Sequence, residues 1–382
     1  MKKIIVGLVG LVGLVGCKDS FDMGDLHEET KMVVNCFPST EDTTWIEVTH
    51  SIPVSKGSER NQWDDFLEVK DAHVTYRVNG EQRSVGWKDR VYNKWNMPCV
   101  QARYYVTGSH QTGDRVEVEV SAPGYANVRA ETVVGEAVPV VLQSIVKTKV
   151  YDPDWEESRD VYQLTATFTD PAQTQDYYAV RVRCKHYKGK AIGDLRPDYP
   201  YQDLYDNDDL RHVEWPMKND LDYEGTCAGW GEVYNFHLQL DSLYSHPEIL
   251  TMSEPLLMPL SDMDSNFGFD NGFYQHFYIF SDEKIQGLTY MLHLNLSLYH
   301  VMSPLDEFCF SPLRYQVQLY HITPEFYRYV KSINDVDNNK LAQNGFSMIL
   351  PTFSNVSGGS GVVGAYSLSE SEWLTLTSNK SE

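Results

Sequence analysis

The chain has 382 residues, with 54 acidic residues against 32 Lys and Arg and a formal net charge of −22. That length is enough for two or three domains with sizeable cores. Because an acidic surface repels phosphate backbones and the Lys and Arg residues form no long runs, the composition argues against nucleic-acid binding. Tyr occurs 25 times, and this residue suits both β-sheet surfaces and contact surfaces.

The first 17 residues have the layout of a secretory signal. Lys2 and Lys3 precede an uncharged, largely apolar stretch over residues 4–16, and Cys17 follows. The stretch is shorter than the roughly 20 residues that a membrane-spanning helix needs. Residues 14–17 (Leu-Val-Gly-Cys) resemble a bacterial lipobox, in which the Cys becomes the new N-terminus and its sulfur carries a diacylglycerol. We therefore predict a signal peptide over residues 1–16 and a lipid anchor at Cys17.

The residues after Cys17 indicate where the anchored protein is sent. Lys18, Asp19 and Asp22 place one cation and then acids directly after the anchor, like the export signal of Bacteroidota lipoproteins that are displayed on the outer face of the outer membrane. A polar tether that only solvates the linker would look almost the same. We expect an outer-membrane lipoprotein that faces the cell exterior, with a polar tether over residues 17–30.

Residues 31–135 show the alternation of apolar and polar residues that is typical of short β-strands. The alternating segments are 32–37, 46–52, 74–78, 116–120 and 128–134. Asn79-Gly80 is a strong signal for a two-residue hairpin. Several short strands with turn signals and no convincing helix predict an immunoglobulin-like β-sandwich in this region.

Residues 136–376 are predicted to form a larger β-rich domain, a sandwich or a barrel, with one substantial helix. The clearest strand patterns are at 164–168, 178–182, 292–298 and 315–319. A helix is expected from Thr323, which can cap it, through Pro324, which suits the first helical position. Between Lys188 and Gly231 the sequence is rich in Asp, Tyr, Gly and Pro, which predicts long loops.

Five cysteines remain when Cys17 is assigned to lipid. They are Cys36, Cys99, Cys184, Cys227 and Cys309. An odd number leaves at least one thiol unpaired in an oxidising compartment. Pairing of Cys184 with Cys227, or of Cys36 with Cys99, is compatible with the sequence, which does not choose between them.

No local motif for catalysis or metal binding is convincing. Ser281–Lys284 has the S-x-x-K spacing without the partner motifs of that enzyme class, and the glycines of Ser357–Gly361 fit a turn better than a nucleophile elbow. The acidic segments 203–209 and 262–270 offer the oxygen ligands that Ca²⁺ prefers, but the second lacks EF-hand spacing. Cys184 and His186 could share one strand face as metal ligands, although no second close pair accompanies them. We predict solvated acidic loops, no metal, no cofactor and no enzymatic activity.

Aromatic residues in the middle loops are candidates for contact with a ligand or partner. Trp215, Trp230 and Phe269 lie in the segments 198–234 and 261–274, which combine Asp, Tyr and Trp with few strand signals. Aromatic rings stack on sugar faces and anchor protein interfaces, and loops on a rigid β scaffold often carry recognition. The alternative is that these rings pack within the β-sheet core.

Four segments spread over the chain carry a family resemblance. In chain order they are Lys31–Asn35, Val118–Tyr125, Phe280–Gly287, and Leu319–Ile333 continued by Ser354–Tyr366. They resemble the Bacteroidota lipoprotein family known only as domain of unknown function 4249. The Gly-Val-Val-Gly-Ala-Tyr run at 361–366 is the most specific part. This chain departs from the usual pattern at Ser360, where a bulkier apolar residue is commoner, and in its longer Asp-rich loop at 197–210.

The resemblance implies a role without implying any chemistry. Members of the family tend to be encoded near TonB-dependent outer-membrane transporters. The chain is therefore predicted to be a non-enzymatic accessory that binds such a transporter barrel, or its glycan or peptide cargo. A surface glycan-binding protein that works without a dedicated transporter is the alternative, and a hydrolase is a third candidate.

Overall fold

The computed structural model describes residues 30–51, 68–94, 97–152, 156–192, 222–229, 232–251, 254–259, 277–297, 308–338 and 352–375. These residues form many β-strands and one α-helix, so the predicted mainly β fold is confirmed. Within the same residues, no helix has the length and apolar character required to cross a membrane.

The strands follow one another along the chain with one helix near the end. The first eight are β1 (Met32–Cys36), β2 (Thr43–His50), β3 (His73–Val78), β4 (Glu81–Arg83), β5 (Gly86–Lys94), β6 (Met97–Thr107), β7 (Arg115–Ser121) and β8 (Val128–Val133). The next seven are β9 (Val140–Asp152), β10 (Glu157–Thr169), β11 (Tyr177–Ile192), β12 (Asp222–Gly229), β13 (Glu232–Ser245), β14 (Ile249–Leu250) and β15 (Met258–Pro259). The last are β16 (Tyr278–Ser281), β17 (Thr289–Ser297), β18 (Phe308–Ile322), helix α1 (Pro324–Asn338), β19 (Ser360–Val363), β20 (Tyr366–Glu370) and β21 (Leu374–Thr375).

The N-terminal region is a sandwich of two sheets. One sheet has the order β19-β1-β2-β6-β5 and the other β4-β3-β7-β8. Strand alternation places Val74, Tyr76 and Val78 in the core between the sheets. The Asn79-Gly80 hairpin is confirmed: both residues have positive φ (53° and 84°), and Val78 pairs with Glu81 across the turn.

A strand from near the C-terminus completes this N-terminal sandwich. β19 pairs in parallel with β1, with Val34 opposite Gly361 and Cys36 opposite Val363. The buried Asn35 side chain accepts a hydrogen bond from the Val362 N–H (3.2 Å). The region 136–376 therefore supplies one strand to a sheet whose other strands lie within residues 31–135.

The larger C-terminal unit packs two further sheets face to face. The smaller sheet has the order β14-β17-β10-β9, and in the larger one β11 pairs with β13, β16 and β18. Alternate residues of facing strands fill the space between them, among them Leu164, Val180, Leu294 and Val317. We call the larger one the large sheet. Its inner face is the one that contributes Val180 and Val317.

Helix α1 covers one end of the opposite, outer face of the large sheet. Its predicted apolar stripe, Phe326, Val330 and Ile333, is buried against residues such as Tyr177 and Tyr320. Thr323 precedes the helix as predicted, and its carbonyl accepts the Tyr327 N–H (2.9 Å). Its hydroxyl, however, accepts the Ala365 N–H (3.1 Å), so it ties the start of the helix to the segment between β19 and β20.

The prediction of loops throughout Lys188–Gly231 is wrong at both ends. β11 continues to Ile192, and residues 222–229 form β12, paired with β13 from Asp222 opposite Gln239 to Gly229 opposite Glu232. Gly and Asp disfavour strands on their own, but pairing with a neighbouring strand overrides that preference. Residues 193–221 lie outside the described part of the chain.

Neither of the two cysteine pairings is formed. Cys36 and Cys184 are buried thiols in the cores of the N-terminal and C-terminal units. Burial raises the pKa of the Cys36 thiol well above its usual range, so this thiol is unreactive in the folded protein.

The segment with Gly361 is structural, because the β1–β19 contact requires glycine there. Gly361 has φ +104°, and a Cβ on it would lie 2.1 Å from the Val34 carbonyl oxygen. We expect Gly361→Ala to lower the free energy of unfolding by about 3 kcal/mol or more, since backbone strain and a backbone collision add together. Gly124→Ala is the matched control. Gly124 also has positive φ (+83°) but has nothing within 4 Å, so that change should cost about 1 kcal/mol. Equal losses in urea unfolding would show that close approach at β19 is unimportant.

Candidate functional site

The predicted site residues lie outside the described part of the chain. They are Cys17, Lys18, Asp19, Asp22, Trp215, Trp230 and Phe269. The acidic segments 203–209 and 262–270 also lie outside it, as does the His186 side chain. Part of the loop segment predicted for contact, 222–229 and 232–234, is β-strand.

The described strands show where the remaining loops are attached. β11 ends at Ile192, and β18 begins at Phe308, which lies opposite Gly189 of β11. β16 begins at Tyr278, opposite Val180. Because β16 runs antiparallel to β11, its first residue is the one nearest the Ile192 end of β11. The segments 193–221 and 298–307 are therefore each joined to a strand end near Ile192. The segment 260–276 is joined to strand ends that point the same way but lie beside Val180, near the start of β11. We call the Ile192 end of the large sheet the loop-bearing end.

Three buried carboxylates lie at the opposite end of the same sheet. Asp170 and Asp176 lie at the two ends of the β10–β11 connection and Asp282 follows β16, so two separate chain turns bring the three residues together. Their oxygens come within 4.8 Å of one another. Hard cations prefer oxygen ligands at this spacing. The hydrogen bonds that each carboxylate accepts therefore decide whether the cluster is a cation site or a structural element.

Each carboxylate already accepts hydrogen bonds from the protein. Asp170 accepts the Tyr178 O–H (2.6 Å) and the Gly287 N–H (2.8 Å). Asp176 accepts the Thr174 O–H (2.5 Å). Asp282 accepts the backbone N–H of Asp176 (2.9 Å). The cluster is thus held by the protein's own donors and ties two chain turns into one structural unit.

His321 connects this cluster to the linker between the two units. Its Nδ1–H donates to the backbone carbonyl of Glu136 (2.6 Å), and its Nε2 lies 2.9 Å from Asp176 Oδ1. These two contacts join residue 136 of the linker to the cluster.

Burial also raises the pKa values of Asp282 and Tyr178 in this cluster. Desolvation raises the pKa of Asp282, and the neighbouring carboxylates of Asp170 and Asp176 raise it further. Desolvation together with the bond to Asp170 raises the pKa of the Tyr178 phenol far above its usual range. Tyr178 therefore stays a donor at every physiological pH.

The sequence signal for this cluster is weak. Asp170 and Pro171 directly follow the strand pattern at 164–168, which indicates a turn, and Asp282 lies within both Ser281–Lys284 and Phe280–Gly287. Each Asp flanks a strand pattern, but many residues of an acidic chain do so. Since the strand order that brings the two turns together is not encoded locally, spacing alone does not reveal the grouping.

The two motifs that superficially suggest catalysis lie in structural positions. Ser281 ends β16, and Asp282–Lys284 form a short 3-10 turn in which Asp282 is buried. Ser357 exchanges two backbone hydrogen bonds with Arg129 of β8 (3.1 and 2.9 Å), and Gly358 follows with φ +81°. Backbone pairing and turn geometry account for both segments.

Comparison with protein families identifies the chain's relatives. The family model described as "Domain of unknown function (DUF4249)" matches residues 18–372, nearly the whole chain. The chain belongs to this family. Neither a curated protein nor a solved structure matches it significantly. The recognised segments of this DUF4249 chain include both Asp282 and His321, which lie within Phe280–Gly287 and Leu319–Ile333.

We expect the buried Asp282 to make the stability of this DUF4249 protein depend on pH. A folded-state pKa above the ordinary value of an Asp side chain means that the group stabilises the fold at low pH and that this contribution is lost as pH rises through the raised pKa. Asp282→Asn cannot ionise, and its side-chain oxygen can still accept the Asp176 N–H. The unfolding free energy of the variant relative to the native protein should therefore improve as pH rises from 3 to 7. A difference that does not change with pH in urea titrations would contradict this account.

Proposed function

We propose that this protein is a lipid-anchored lipoprotein of the outer membrane, facing the cell exterior, which serves as a non-enzymatic binding accessory to a TonB-dependent transporter. The observation that carries the proposal is the N-terminal signal: two Lys, a short apolar stretch and Cys17. The family match begins at residue 18, so the shared part of the chain starts directly after the proposed anchor. Lys18, Asp19 and Asp22 would direct export to the surface.

The direction of the strands supports an outward-facing contact surface. The first residue of β1 is the one nearest to Cys17 in sequence, and β1 runs from there toward the junction with the C-terminal unit. At this junction the Cys36 carbonyl accepts the Gly364 N–H (3.1 Å), and Phe37 packs on Phe326. β11 starts beside this junction and runs away from it. The first residue of β1 and the loop-bearing end are thus at the ends of β1 and β11 that point away from the junction.

Strand length gives the scale of β11. β11 has 16 residues, which at a rise of about 3.3 Å per residue extend about 50 Å. The loop-bearing end therefore lies about 50 Å from the junction where β1 meets the C-terminal unit. Such reach suits contact with a transporter barrel or with cargo arriving from the medium.

The contact surface in this proposal is formed by the loops that carry Trp215, Trp230 and Phe269. Aromatic anchors of this kind dominate the energy of protein interfaces. The family resemblance supports a transporter as the partner, and glycan or peptide as the cargo. A surface glycan-binding protein without a dedicated transporter remains the second candidate, favoured by the same aromatic residues.

Cys17→Ser should release the protein from the membrane fraction, because an unacylated chain has no other proposed anchor. Ultracentrifugation of cell envelopes measures the distribution, and intact mass spectrometry of the native protein should show added acyl mass. External protease applied to intact cells should cleave the native protein. A variant that stays membrane-bound, together with a native mass that lacks acyl groups, would overturn the anchor.

Cutting Trp215, Trp230 or Phe269 to Ala should weaken capture of the transporter by about 1–3 kcal/mol for a central anchor. Each variant is measured for melting temperature and for co-purification of the barrel from outer membranes. Tyr151→Ala is the control, since Tyr151 is an exposed ring (59%) on β9 of the other sheet. Full capture by all three variants, or a loss that only follows unfolding, would move the contact surface elsewhere.

A further inference from the structure

Strand β8 is an edge of the N-terminal sandwich whose outer side is largely open. β8 pairs with β7 on its inner side, and on its outer side Arg129 exchanges two backbone hydrogen bonds with Ser357. Because backbone direction alternates along a strand, the N–H and C=O groups of Glu131 and Val133 point to the same outer side as those of Arg129. Within the described part of the chain, these four groups have no hydrogen-bond partner.

The chain segment that could cover this edge turns away from it. Antiparallel continuation from the Ser357–Arg129 pair would place Asn355 opposite Glu131. The Asn355 side chain instead donates to the Val363 carbonyl of β19 (2.8 Å) and accepts the Val363 N–H (3.0 Å). These two bonds hold the segment against β19, so the edge of β8 stays open beyond residue 129.

A cleft of about 620 Å³ lies along the open edge. Residues 129–133 and the start of α1 at Thr323, Pro324 and Glu325 contribute to its lining. Its volume is within the range of small-ligand sites, roughly 300–1,000 Å³. Since a strand advances about 3.3 Å per residue, the edge from Glu131 to Val133 matches an extended segment of about three to five residues.

The side chains around the cleft do not favour an anion or a sugar. Arg115 pairs with Glu131 and Glu117, and Arg129 pairs with Glu117 and Glu119. Cations that are already paired exert little attraction on an added anion. None of the described residues that line the cleft is aromatic, so it offers no ring on which a sugar can stack. The open backbone groups are therefore the feature that a ligand would use.

We propose that this cleft binds a short peptide in extended conformation, which pairs with the edge of β8 as an added strand. A peptide carries N–H and C=O groups at the spacing of those of Glu131 and Val133, so its backbone can satisfy all four. A second copy of the chain does not fit. Its own β8 edge is recessed in the same cleft, so two copies cannot bring these edges together.

This inference names peptide as the cargo of the proposed accessory and rests on that proposal only in calling the peptide cargo. The binding itself requires neither an anchor nor a transporter. The test therefore uses the full chain in detergent micelles with a defined probe, so that its failure leaves the membrane and transporter experiments untouched.

The probe is a capped pentapeptide of alternating Thr and Val, titrated calorimetrically. Its match is the same peptide with every backbone nitrogen methylated. We expect the first to bind and the second to show no measurable binding, because methylation removes every backbone N–H donor. Raising NaCl from about 50 to about 500 mM should change the affinity by less than about twofold, since the expected contacts are uncharged.

Hydrogen–deuterium exchange locates the bound peptide. The amides of Glu131 and Val133 should become protected when the unmethylated peptide is added. Gln82 is the internal reference, since it lies in β4 at the opposite edge of the same sheet. Val78 and Glu81 flank the two-residue turn and bond to each other, so the next residue, Gln82, points its N–H outward. Its exchange should not change.

Proline can remove a proposed donor without breaking the sheet. Val133→Pro deletes an N–H that points away from β7, and edge strands tolerate Pro at such positions. We expect the affinity for the pentapeptide to fall by about tenfold or more, because a hydrogen bond is lost and the ring fills space that the added strand needs. Gln82→Pro is the matched control and should bind normally. Melting temperatures verify folding, and Glu131→Pro tests the same edge if Val133→Pro does not fold.

Three results would overturn the proposal. The first is no binding of the pentapeptide by the native chain, or equal binding of its methylated match. The second is protection on peptide addition that lies outside residues 129–134. The third is equal loss of affinity in the Gln82 and Val133 variants. A native chain that ignores the peptide, but loses transporter capture on Val133→Pro, would assign the edge to a segment of the transporter.

Discussion

Parallel pairing of β1 with β19 is the contact on which the rest of the architecture depends. It closes the N-terminal sheet, places the Val34 carbonyl against Gly361, and brings the segment after β19 to the start of α1. Because β20 then pairs with β18, the same stretch of chain lies in both units. The two units are therefore joined by strands, a far stiffer connection than a single linker.

The junction uses polar groups where a larger apolar interface could have served. Asp170, Asp176 and Asp282 fix two turns, His321 reaches from the cluster to the Glu136 carbonyl, and Ser367 donates to the Gly135 carbonyl (2.6 Å). Buried polar groups are costly unless paired, and here donors and acceptors are matched across chain segments that are distant in sequence. Such pairing favours one arrangement of the units, since a shifted arrangement would leave the His321 Nδ1–H and the Ser367 hydroxyl without their acceptors.

Local patterns were enough to predict most strands and the helix. Period-two alternation located β3, β7, β10 and β17, and Asn79-Gly80 fixed a hairpin, because these signals depend only on neighbours in sequence. β12 was not predicted, since its Gly- and Asp-containing sequence becomes a strand only when a partner strand is beside it. The carboxylate cluster was not predicted for a similar reason. Its members are single residues at strand ends, and only the pairing of β11 with β16 brings Asp282 to the other two.

The position of β19 also sets an order of events for a chain that is made from its N-terminus. β1 and β2 emerge early, but the sheet they belong to lacks its edge strand until residue 363 is available. The first region therefore cannot reach its final stability before nearly the whole chain is present, because its edge pairing joins two segments that are far apart in sequence. A late-closing edge keeps the first region pliable until the C-terminal unit has been made.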